Sequence, residues 1–106
     1  MGTVSQKFSN MTEKEHLLVL LIEECAEVSQ RATKILRFGF NDPIGTEPDQ
    51  PYTNEERLIQ EVNDLEAVIE LLFKDKLFYK SPIHQNRKKE KIEKYSKLSK
   101  KLGLLK

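Results

Sequence analysis

The sequence predicts an all-α domain, a helical bundle that a second copy of the chain completes. The 106 residues suffice for one domain, residues 1–106. A third of them are charged, while glycine and proline number only four each, a composition that favours helices. Apolar residues recur three and four positions apart in the segments 13–37, 54–79 and 82–102, which is the spacing of one helix face. We therefore expect three helices.

A capping sequence predicts the start of the first helix. Thr12 is a good N-cap, and Glu15 stands three residues later, at the capping-box position. The helix is predicted over about residues 13–37, and Gly39 can supply the left-handed residue that ends it. Residues 1–11 are polar and lack periodicity, so we expect a flexible N-terminus.

Residues 39–54 separate the first two helices and have the composition of a loop. Three prolines and two glycines fall within this segment. It is long for a helical domain, and loops of such length often bind ligands or act as lids. Thr53 is predicted to cap the second helix, with Glu56 completing a second capping box, and the helix is expected to continue to about Tyr79.

Ser81 and Pro82 predict the start of a third helix. Serine is a good N-cap, and proline is favoured at the first helical position. We expect this helix to run to about Leu102, just before Gly103. Its apolar stripe is narrow, and residues 82–106 form a basic C-terminal helix.

The most apolar segment of the chain, residues 17–38, contains three carboxylates. At about 100° per residue its apolar side chains form one broad arc. The arc consists of Leu17, Leu18, Leu21, Cys25, Val28, Ala32, Ile35 and Leu36. Glu24 lies at the margin of this arc, Glu27 about 60° further round, and Glu23 just beyond. Because the arc is too wide for one neighbouring helix to cover, we expect a homodimer or a homotetramer.

The second helix places a carboxylate within its apolar face. That face is formed by Leu58, Val62, Leu65, Val68, Ile69 and Leu72. Glu61 falls in its middle, and Asp64 lies at its edge one turn later. Residues three apart project from the same side of a helix, so the pairs Glu24–Glu27 and Glu61–Asp64 on facing helices can bring four oxygen ligands to one site. An ionised carboxylate removed from water needs a counter-charge, and a divalent metal supplies it.

The ligand types indicate which metal to expect. No histidine or second cysteine accompanies the four acids, which disfavours zinc and copper and favours Mg²⁺, with Mn²⁺ as a substitute. Mg²⁺ usually keeps positions open for water and for substrate phosphate. The alternative interpretation is that these acids form ordinary solvated helix faces, where pairs at three-residue spacing are common.

Charge is distributed unevenly along the chain. Residues 1–85 carry 9 Lys/Arg against 15 Asp/Glu, while residues 86–106 carry 9 against 2. The acidic body can hold a metal, and the basic end can meet phosphate, nucleic acid or another subunit. A solvated or subunit-packing helix is the expected role of this end, and nucleic acid is not the expected partner.

The single cysteine and the absence of long apolar runs indicate in which cellular compartment the protein is expected. Cys25 excludes an intramolecular disulfide and is expected to pack in the core. The chain shows no signal-peptide pattern, and its apolar run at residues 17–22 is too short to span a bilayer. We expect a cytoplasmic protein.

The acids stand in an order that resembles a known signature. EECAE (residues 23–27) followed by EVND (residues 61–64) is similar to the EExxE…ExxD pattern of the MazG-like, all-α nucleoside triphosphate pyrophosphohydrolases, the superfamily that includes the dimeric dUTPases. The segments KILRFG and TNEERL also look like small phage and bacterial members, so the expected cytoplasm is that of the host if a phage encodes the protein. Between Glu27 and Glu61 lie 33 residues, a longer gap than is usual in the family.

The resemblance implies a Mg²⁺-dependent hydrolysis of a (deoxy)nucleoside triphosphate, with a purine deoxynucleotide as a candidate, to the monophosphate and pyrophosphate. In this reaction, a metal-activated water attacks the α-phosphorus. The implied metal ligands are Glu24, Glu27, Glu61 and Asp64. Glu23 and Glu24 take the catalytic positions, and Glu23 is the additional acid that orients a ligand or water.

Five cationic or titratable residues are candidates for substrate binding: His16, Arg31, Lys34, Arg37 and Lys76. The first three share the helix stripe of Glu27, and Lys34 and Arg37 can neutralise phosphate charge. The alternative for Arg31 and Lys34 is a role as surface partners of Glu27 and other groups, and the alternative for His16 and Lys76 is an ordinary surface position. Two alternatives to the enzyme also stand: a non-catalytic helical module that binds nucleic acid or an acidic partner through residues 87–101, and a metal-stabilised structural bundle.

Overall fold

The structure, a computed structural model, describes residues 10–41, 51–74, 76 and 78–106. These residues form three α-helices: α1 (Glu13–Phe38), α2 (Asn54–Lys74) and α3 (Pro82–Lys101). No strand occurs in the described parts of the chain, so the prediction of an all-α fold is confirmed. The predicted flexible N-terminus and the predicted loop 39–54 lie mostly outside the described residues, and the single-domain organisation stays a prediction.

Local hydrogen bonds fix both ends of α1. The hydroxyl of Thr12 accepts a hydrogen bond of 3.1 Å from the backbone N–H of Glu15, whose carboxylate accepts one of 3.1 Å from the backbone N–H of Thr12. At the other end Gly39 has φ 95°, and its N–H donates to the carbonyl of Ile35 at 2.8 Å. A residue with a side chain rarely adopts this φ, so glycine is needed there. The predicted limits of 13–37 differ from the observed ones by one residue.

The second capping box is also formed. The backbone N–H of Thr53 donates to the carboxylate of Glu56 at 3.0 Å, and the N–H of Glu56 donates to the hydroxyl of Thr53 at 3.1 Å. These reciprocal bonds satisfy backbone donors that a helix start leaves without intrahelical partners. Asn54 directly follows the cap and is almost completely buried, which ties the first residue of α2 to the interior.

The predicted end of α2 near Tyr79 is wrong, because the helix stops at Lys74. Lys76 adopts φ 60°, and the backbone N–H of Phe78 turns back to the carbonyl of Leu72 at 3.3 Å. Phe78 then packs on the core cluster that contains Leu72. Burial of this ring stabilises a turn that no glycine or proline signals, so local sequence could not have indicated it.

The third helix agrees with its prediction and stands apart from the other two. The hydroxyl of Ser81 accepts a hydrogen bond of 3.2 Å from the backbone N–H of His84, and Pro82 occupies the first turn. Gly103, with φ 78°, follows the helix end. Within the described residues, α3 does not pack against α1 or α2.

Helices α1 and α2 form an antiparallel hairpin. The side-chain amide of Asn54, at the start of α2, donates to the carbonyl of Gly39, at the end of α1, at 2.9 Å. At the opposite end, Leu17 of α1 lies beside Leu71 of α2. The core between the helices is small and consists of Leu17, Val68 and Leu72, with Leu20, Leu21 and Phe78 packed around it. The hairpin therefore uses one face of each helix.

A second apolar face of α1, about 100° round the helix from the face that packs on α2, is not covered by any other helix among the described residues. Leu36 is 87% exposed and Ile22 is 69% exposed. Cys25 is exposed as well, contrary to the predicted packing role, because α2 covers only part of the broad apolar arc on which it lies. As far as the described residues show, none of the three helices has the apolar length that a membrane crossing requires.

Candidate metal centre

Three carboxylates converge where α1 faces α2. Glu24 of α1 and Glu61 and Asp64 of α2 each offer one oxygen, and these oxygens all lie within 4.8 Å of one another. Glu24 and Glu61 are half-buried, and Asp64 is exposed. Because residues three apart share one side of a helix, Glu61 and Asp64 reach the site together. Glu24 follows the buried Leu17 by seven residues, which is about two turns. Both side chains therefore project from the side of α1 that faces α2.

The donor set suits a hard divalent cation. Two oxygens bound to one Mg²⁺ at about 2.1 Å can be separated by at most about 4.2 Å. A group spread over 4.8 Å can therefore close around such an ion through small side-chain rotations. The group contains no histidine or cysteine, which disfavours zinc, and three carboxylates leave positions of an octahedral ion for water and phosphate oxygens.

The carboxylates repel one another in the absence of a cation. Partial burial raises the pKa of the Glu24 carboxyl above its ordinary value, and the charges of Asp64 and Glu61 raise it further. Glu27 and Glu23 add smaller contributions in the same direction. The ionised form of Glu24 is therefore less favourable than that of an isolated carboxyl, and a cation bound beside it would offset this effect.

Glu27 and Glu23 do not join the convergent group. Both side chains are exposed, although both lie close enough to raise the pKa of Glu24. On α1, Glu27 follows Glu24 by three residues and so lies about 60° round the helix from it, away from α2. Of the four predicted metal ligands the structure therefore brings three together. The predicted roles of Glu27 as a ligand and of Glu23 as an orienting acid stay predictions.

A cluster of three cations adjoins the acids on the side of the α1–α2 connection. Arg31 is buried, with 9% of its surface exposed, and Lys34 and Arg57 are half-buried. Burial lowers the pKa of Lys34, and the charges of Arg31 and Arg57 lower it further, while Glu27 opposes them. Each of the three side chains also interacts with neighbouring groups. We call Arg31, Lys34 and Arg57 the cation cluster.

Arg57 links the cation cluster to the acids. Burial lowers its pKa, Arg31 lowers it further, and Glu61 opposes the shift. Arg57 precedes Glu61 by four residues, so both lie on the same face of α2, one turn apart. The three cations disfavour one another's charge, and the carboxylates of Glu27 and Glu61 oppose this effect. Arg57 thus connects the cation cluster electrostatically with Glu61 of the acid group.

The remaining predicted substrate-binding residues lie away from this cluster. His16 is exposed and precedes Glu24 by eight residues, about 12 Å along α1. Arg37 is exposed in the last turn of α1, and its guanidinium lies 4.9 Å from the ring centroid of Phe38. Lys76 is exposed beyond the C-terminal end of α2, whereas Arg57 is near the N-terminal end. The structure does not bring these three to the acids.

Sequence reasoning missed Arg57 and Asn54. Arg57 carried a usable signal, since it stands four residues before Glu61 on the face that holds the acid. Asn54 carried none, because its burial depends on the carbonyl of Gly39, fifteen residues away in the chain. The burial of Arg31 was also missed, since the sequence suggested a surface alternative for it.

Comparison of the chain with protein-family models, with curated proteins and with solved structures found no match.

Proposed function

We propose that this protein is a Mg²⁺-dependent nucleoside triphosphate pyrophosphohydrolase of the MazG-like type, acting on (deoxy)nucleoside triphosphates to give the monophosphate and pyrophosphate. One observation carries the proposal: the carboxylates of Glu24, Glu61 and Asp64 converge, and one of them, Glu61, interacts electrostatically with Arg57 of the cation cluster. The order of the acids in the sequence, EECAE then EVND, supports it independently.

The carboxylates would hold Mg²⁺ through one oxygen each. When bound, the ion supplies positive charge to phosphate oxygens and lowers the pKa of a coordinated water. Glu24 and Glu61 are half-buried and would present their oxygens from positions partly shielded from solvent. Asp64, the exposed member, leaves the solvent side of the site accessible to a substrate.

The cation cluster would hold the part of a triphosphate that extends beyond the metal. Arg31 and Arg57 provide planar guanidinium groups suited to phosphate oxygens, and Lys34 provides a point charge. Bound phosphate would offset the burial and the mutual repulsion that lower the pKa of Lys34 and of Arg57. A triphosphate could meet the metal held by the acid group and also the neighbouring cation cluster. It therefore matches this arrangement better than a single phosphate does.

Glu23 and Glu27 would act from the solvent side. Both carboxylates are exposed and lie near Glu24. Glu23 is suited to orient or deprotonate the attacking water, and Glu27 to complete the ligand set when the ion is bound. A general base at this position needs contact with water, which an exposed carboxylate has.

A substrate screen tests the proposal. The full-length protein is incubated with each canonical dNTP and NTP in the presence of Mg²⁺, and pyrophosphate is resolved from inorganic phosphate. We expect Mg²⁺-dependent formation of the monophosphate and pyrophosphate in equal amounts from at least one nucleotide. No turnover of any nucleotide, or release of single phosphates, would contradict the proposal.

A pair of glutamine substitutions on α2 ties the activity to the site. Glu61→Gln removes a ligand without removing volume, so we expect loss of turnover with the helical circular dichroism spectrum retained. Glu66→Gln makes the same change at an exposed position five residues later, and turnover should be unchanged. Equal activity of the two variants would reject the metal assignment.

A second function is favoured by the position of α3. This helix does not pack on α1 or α2 within the described residues, and Arg87, Lys88, Lys91 and Lys94 line a shallow basic depression on it. A module that binds nucleic acid or an acidic partner would use this surface. It predicts salt-dependent binding of DNA or RNA that disappears when residues 86–106 are removed. Chelator-sensitive melting without turnover would instead identify a metal-stabilised structural bundle.

A further inference from the structure

Helix α3 presents an exposed apolar stripe in its second half. The stripe consists of Ile92, Tyr95, Leu98 and Leu102, which follow one another at three or four residues. These positions span about 120° of the helix surface. All four side chains are exposed, and within the described residues α3 does not pack against α1 or α2. The stripe is therefore accessible along its whole length.

Two leucines beyond the helix extend the stripe. The backbone N–H of Leu104 turns back and donates to the carbonyl of Ser99 at 2.9 Å. The turn places Leu104 and Leu105 beside Ile92 and Tyr95, around one shallow depression. It also satisfies a carbonyl that a helix end leaves without an intrahelical partner. A helix end that touches an apolar layer needs such internal hydrogen bonds.

The side of α3 that bears the stripe is positively charged. Four cationic residues lie within about 100° of the centre line of the stripe, mostly in the first half of the helix: Arg87, Lys88, Lys91 and Lys94. The two acids of the helix, Glu90 and Glu93, lie about 140° and 160° from this line. On that far side the carboxylate of Glu93 pairs with the ammonium of Lys97 at 3.2 Å. The partner of the stripe side is therefore expected to be both anionic and apolar.

We propose that α3 lies on the surface of an anionic lipid bilayer, with the stripe at the boundary between headgroups and acyl chains and the four cations against the headgroup phosphates. Helices that bind in this plane combine lysine and arginine with large apolar residues on the opposing face. Lysine stems can cover apolar surface while the ammonium group stays among the headgroups. The inference is independent of the proposed hydrolysis, because α3 contributes no residue to the candidate metal centre.

The stripe favours a bilayer over a nucleic acid. The phosphates of DNA or RNA would attract the same cations, but most hydrogen bonds to nucleic acids go to phosphate and sugar, and these groups offer no apolar layer to the stripe. A bilayer offers negative headgroups and an apolar interior within one surface. Tyr95 suits this boundary, since its ring is apolar and its hydroxyl can remain hydrated.

Vesicle binding by the full-length protein tests the proposal. The protein is mixed with vesicles of phosphatidylcholine, with and without phosphatidylserine, and bound protein is separated by flotation. We expect binding to be at least about tenfold stronger to the vesicles with phosphatidylserine, and to weaken as salt is added. Absence of binding to these vesicles, or equal binding to the neutral ones, would overturn the proposal.

Two isoleucines of equal exposure test the contribution of the stripe. Ile92 on the stripe is 54% exposed, and Ile59 on α2 is 53% exposed. Ile92→Gln should weaken vesicle binding about tenfold, because an apolar side chain no longer leaves water on binding. Ile59→Gln should bind as the wild type does, and both variants should keep their helical circular dichroism. Equal binding by the two variants would overturn the proposal.

Two pairs of lysines on α3 test which side of the helix faces the bilayer. Lys88→Gln/Lys91→Gln removes two charges in line with the stripe, and vesicle binding should fall by roughly 10- to 30-fold. Lys97→Gln/Lys100→Gln has the same net charge but changes the far side, and binding should fall by less than about threefold. Equal losses would mean that the charge of the helix acts without a preferred side, which contradicts the proposed orientation.

Insertion of the stripe can be observed directly, because the chain contains no tryptophan. Anionic vesicles should shift the fluorescence emission of Tyr95→Trp to shorter wavelength and leave that of Tyr52→Trp unchanged. Anisotropy of labelled duplex DNA and of single-stranded RNA examines the other class of partner. Binding of either nucleic acid without binding of anionic vesicles would assign α3 to nucleic acid and overturn the proposal.

Discussion

The side-chain amide of Asn54 donates a hydrogen bond of 2.9 Å to the backbone carbonyl of Gly39. This bond joins the first residue of α2 to the residue that ends α1. Beside it, the backbone N–H of Glu55 donates to the carbonyl of Phe40 at 2.9 Å. The two bonds set the register of the hairpin at this end. They thereby help to position the cation cluster, which lies on the adjoining turns of both helices.

Loss of the Asn54 amide should destabilise the hairpin. Asn54 is 1% exposed, so Asn54→Ala removes a buried side-chain amide and the hydrogen bond that it donates to the carbonyl of Gly39. We expect the variant to lose about 1–3 kcal/mol of unfolding free energy, or roughly 5–15 °C in Tm, measured by circular dichroism. Asn63→Ala is the control, because the exposed amide of Asn63 donates to the carbonyl of Ile59 within α2. A drop of similar size in both variants would argue against the role given to Asn54.

Replacement of Glu24 should stabilise the metal-free protein. Partial burial and the charges of Asp64 and Glu61 raise the pKa of Glu24. A carboxyl whose pKa is raised on folding stabilises the fold at low pH and loses that contribution as the pH rises through the raised value. Glu24→Gln avoids this loss. Its Tm should therefore exceed that of the wild type at neutral pH, and the difference should vanish in acid.

Mg²⁺ should reverse the order of the Tm values of the wild type and Glu24→Gln. A ligand that binds only the folded state adds about 2.7 kcal/mol at a hundredfold excess over its Kd. The Tm of the wild type should therefore rise with Mg²⁺ at pH 7, while that of Glu24→Gln should stay nearly constant. Glu66→Gln, changed outside the site, should respond as the wild type does. A wild-type Tm that is insensitive to Mg²⁺ would count against a metal centre.

Removal of one member of the cation cluster should reduce catalysis. Charge-assisted hydrogen bonds contribute about 1.5–3 kcal/mol, so Arg57→Met should lower kcat/KM by about 10- to 100-fold for the nucleotide identified in the screen. Arg87→Met makes the same change on the exposed surface of α3 and should leave kcat/KM within about twofold. Mg²⁺-induced stabilisation should persist in both variants. Equal kcat/KM values for Arg57→Met and Arg87→Met would exclude a substrate contact by Arg57.

The two capping boxes should give the fold an acid-dependent component of stability. Hydrogen bonds from the backbone and the hydroxyl of Thr12 lower the pKa of Glu15, and those of Thr53 lower the pKa of Glu56. A carboxyl whose pKa is lowered on folding stabilises the protein above its unfolded pKa and loses this contribution as the pH falls through the lowered value. Tm measured from pH 6 down to pH 2 should therefore fall more steeply in the wild type than in the double variant Glu15→Gln/Glu56→Gln. Equal slopes of Tm against pH in the wild type and in the double variant would contradict a contribution of the two capping boxes.

The features that the sequence predicted correctly depend on neighbours in the chain. Thr12 and Thr53 cap their helices through residues three positions later, so the starts of α1 and α2 could be predicted within a residue. The meeting of Glu24, Glu61 and Asp64 could be anticipated because helical spacing fixes the side from which each acid projects.

The features that could not be predicted from the sequence depend on contacts between residues that are distant in the chain. Arg31 was a candidate for substrate binding with a surface position as the alternative, yet it is buried, with 9% of its surface exposed. The end of α2 depends on Phe78 folding back on Leu72, a contact that the pattern of apolar residues does not specify. Cys25 was expected to pack because periodicity shows which face is apolar, but not how much of that face a neighbour covers.

Phe78 provides a test of how the end of α2 is held. Its ring packs on the core cluster of Leu17, Val68 and Leu72, and meets the ring of Phe73 edge-on at a centroid distance of 6.2 Å. Because the side chain is only half-buried, Phe78→Ala should cost about 2 kcal/mol, less than the 3–5 kcal/mol of a fully buried phenylalanine.

The neighbouring Tyr79 is the matched control for that substitution, since its side chain is 88% exposed. Tyr79→Ala should change the free energy of unfolding by no more than about 0.5 kcal/mol. Chemical denaturation of both variants gives the two values directly. Hydrogen exchange should also show faster opening of the last turn of α2 in Phe78→Ala, because Phe78 no longer anchors the backbone bond to Leu72. Equal stability of the two variants would mean that the turn at Lys76 holds without the buried ring.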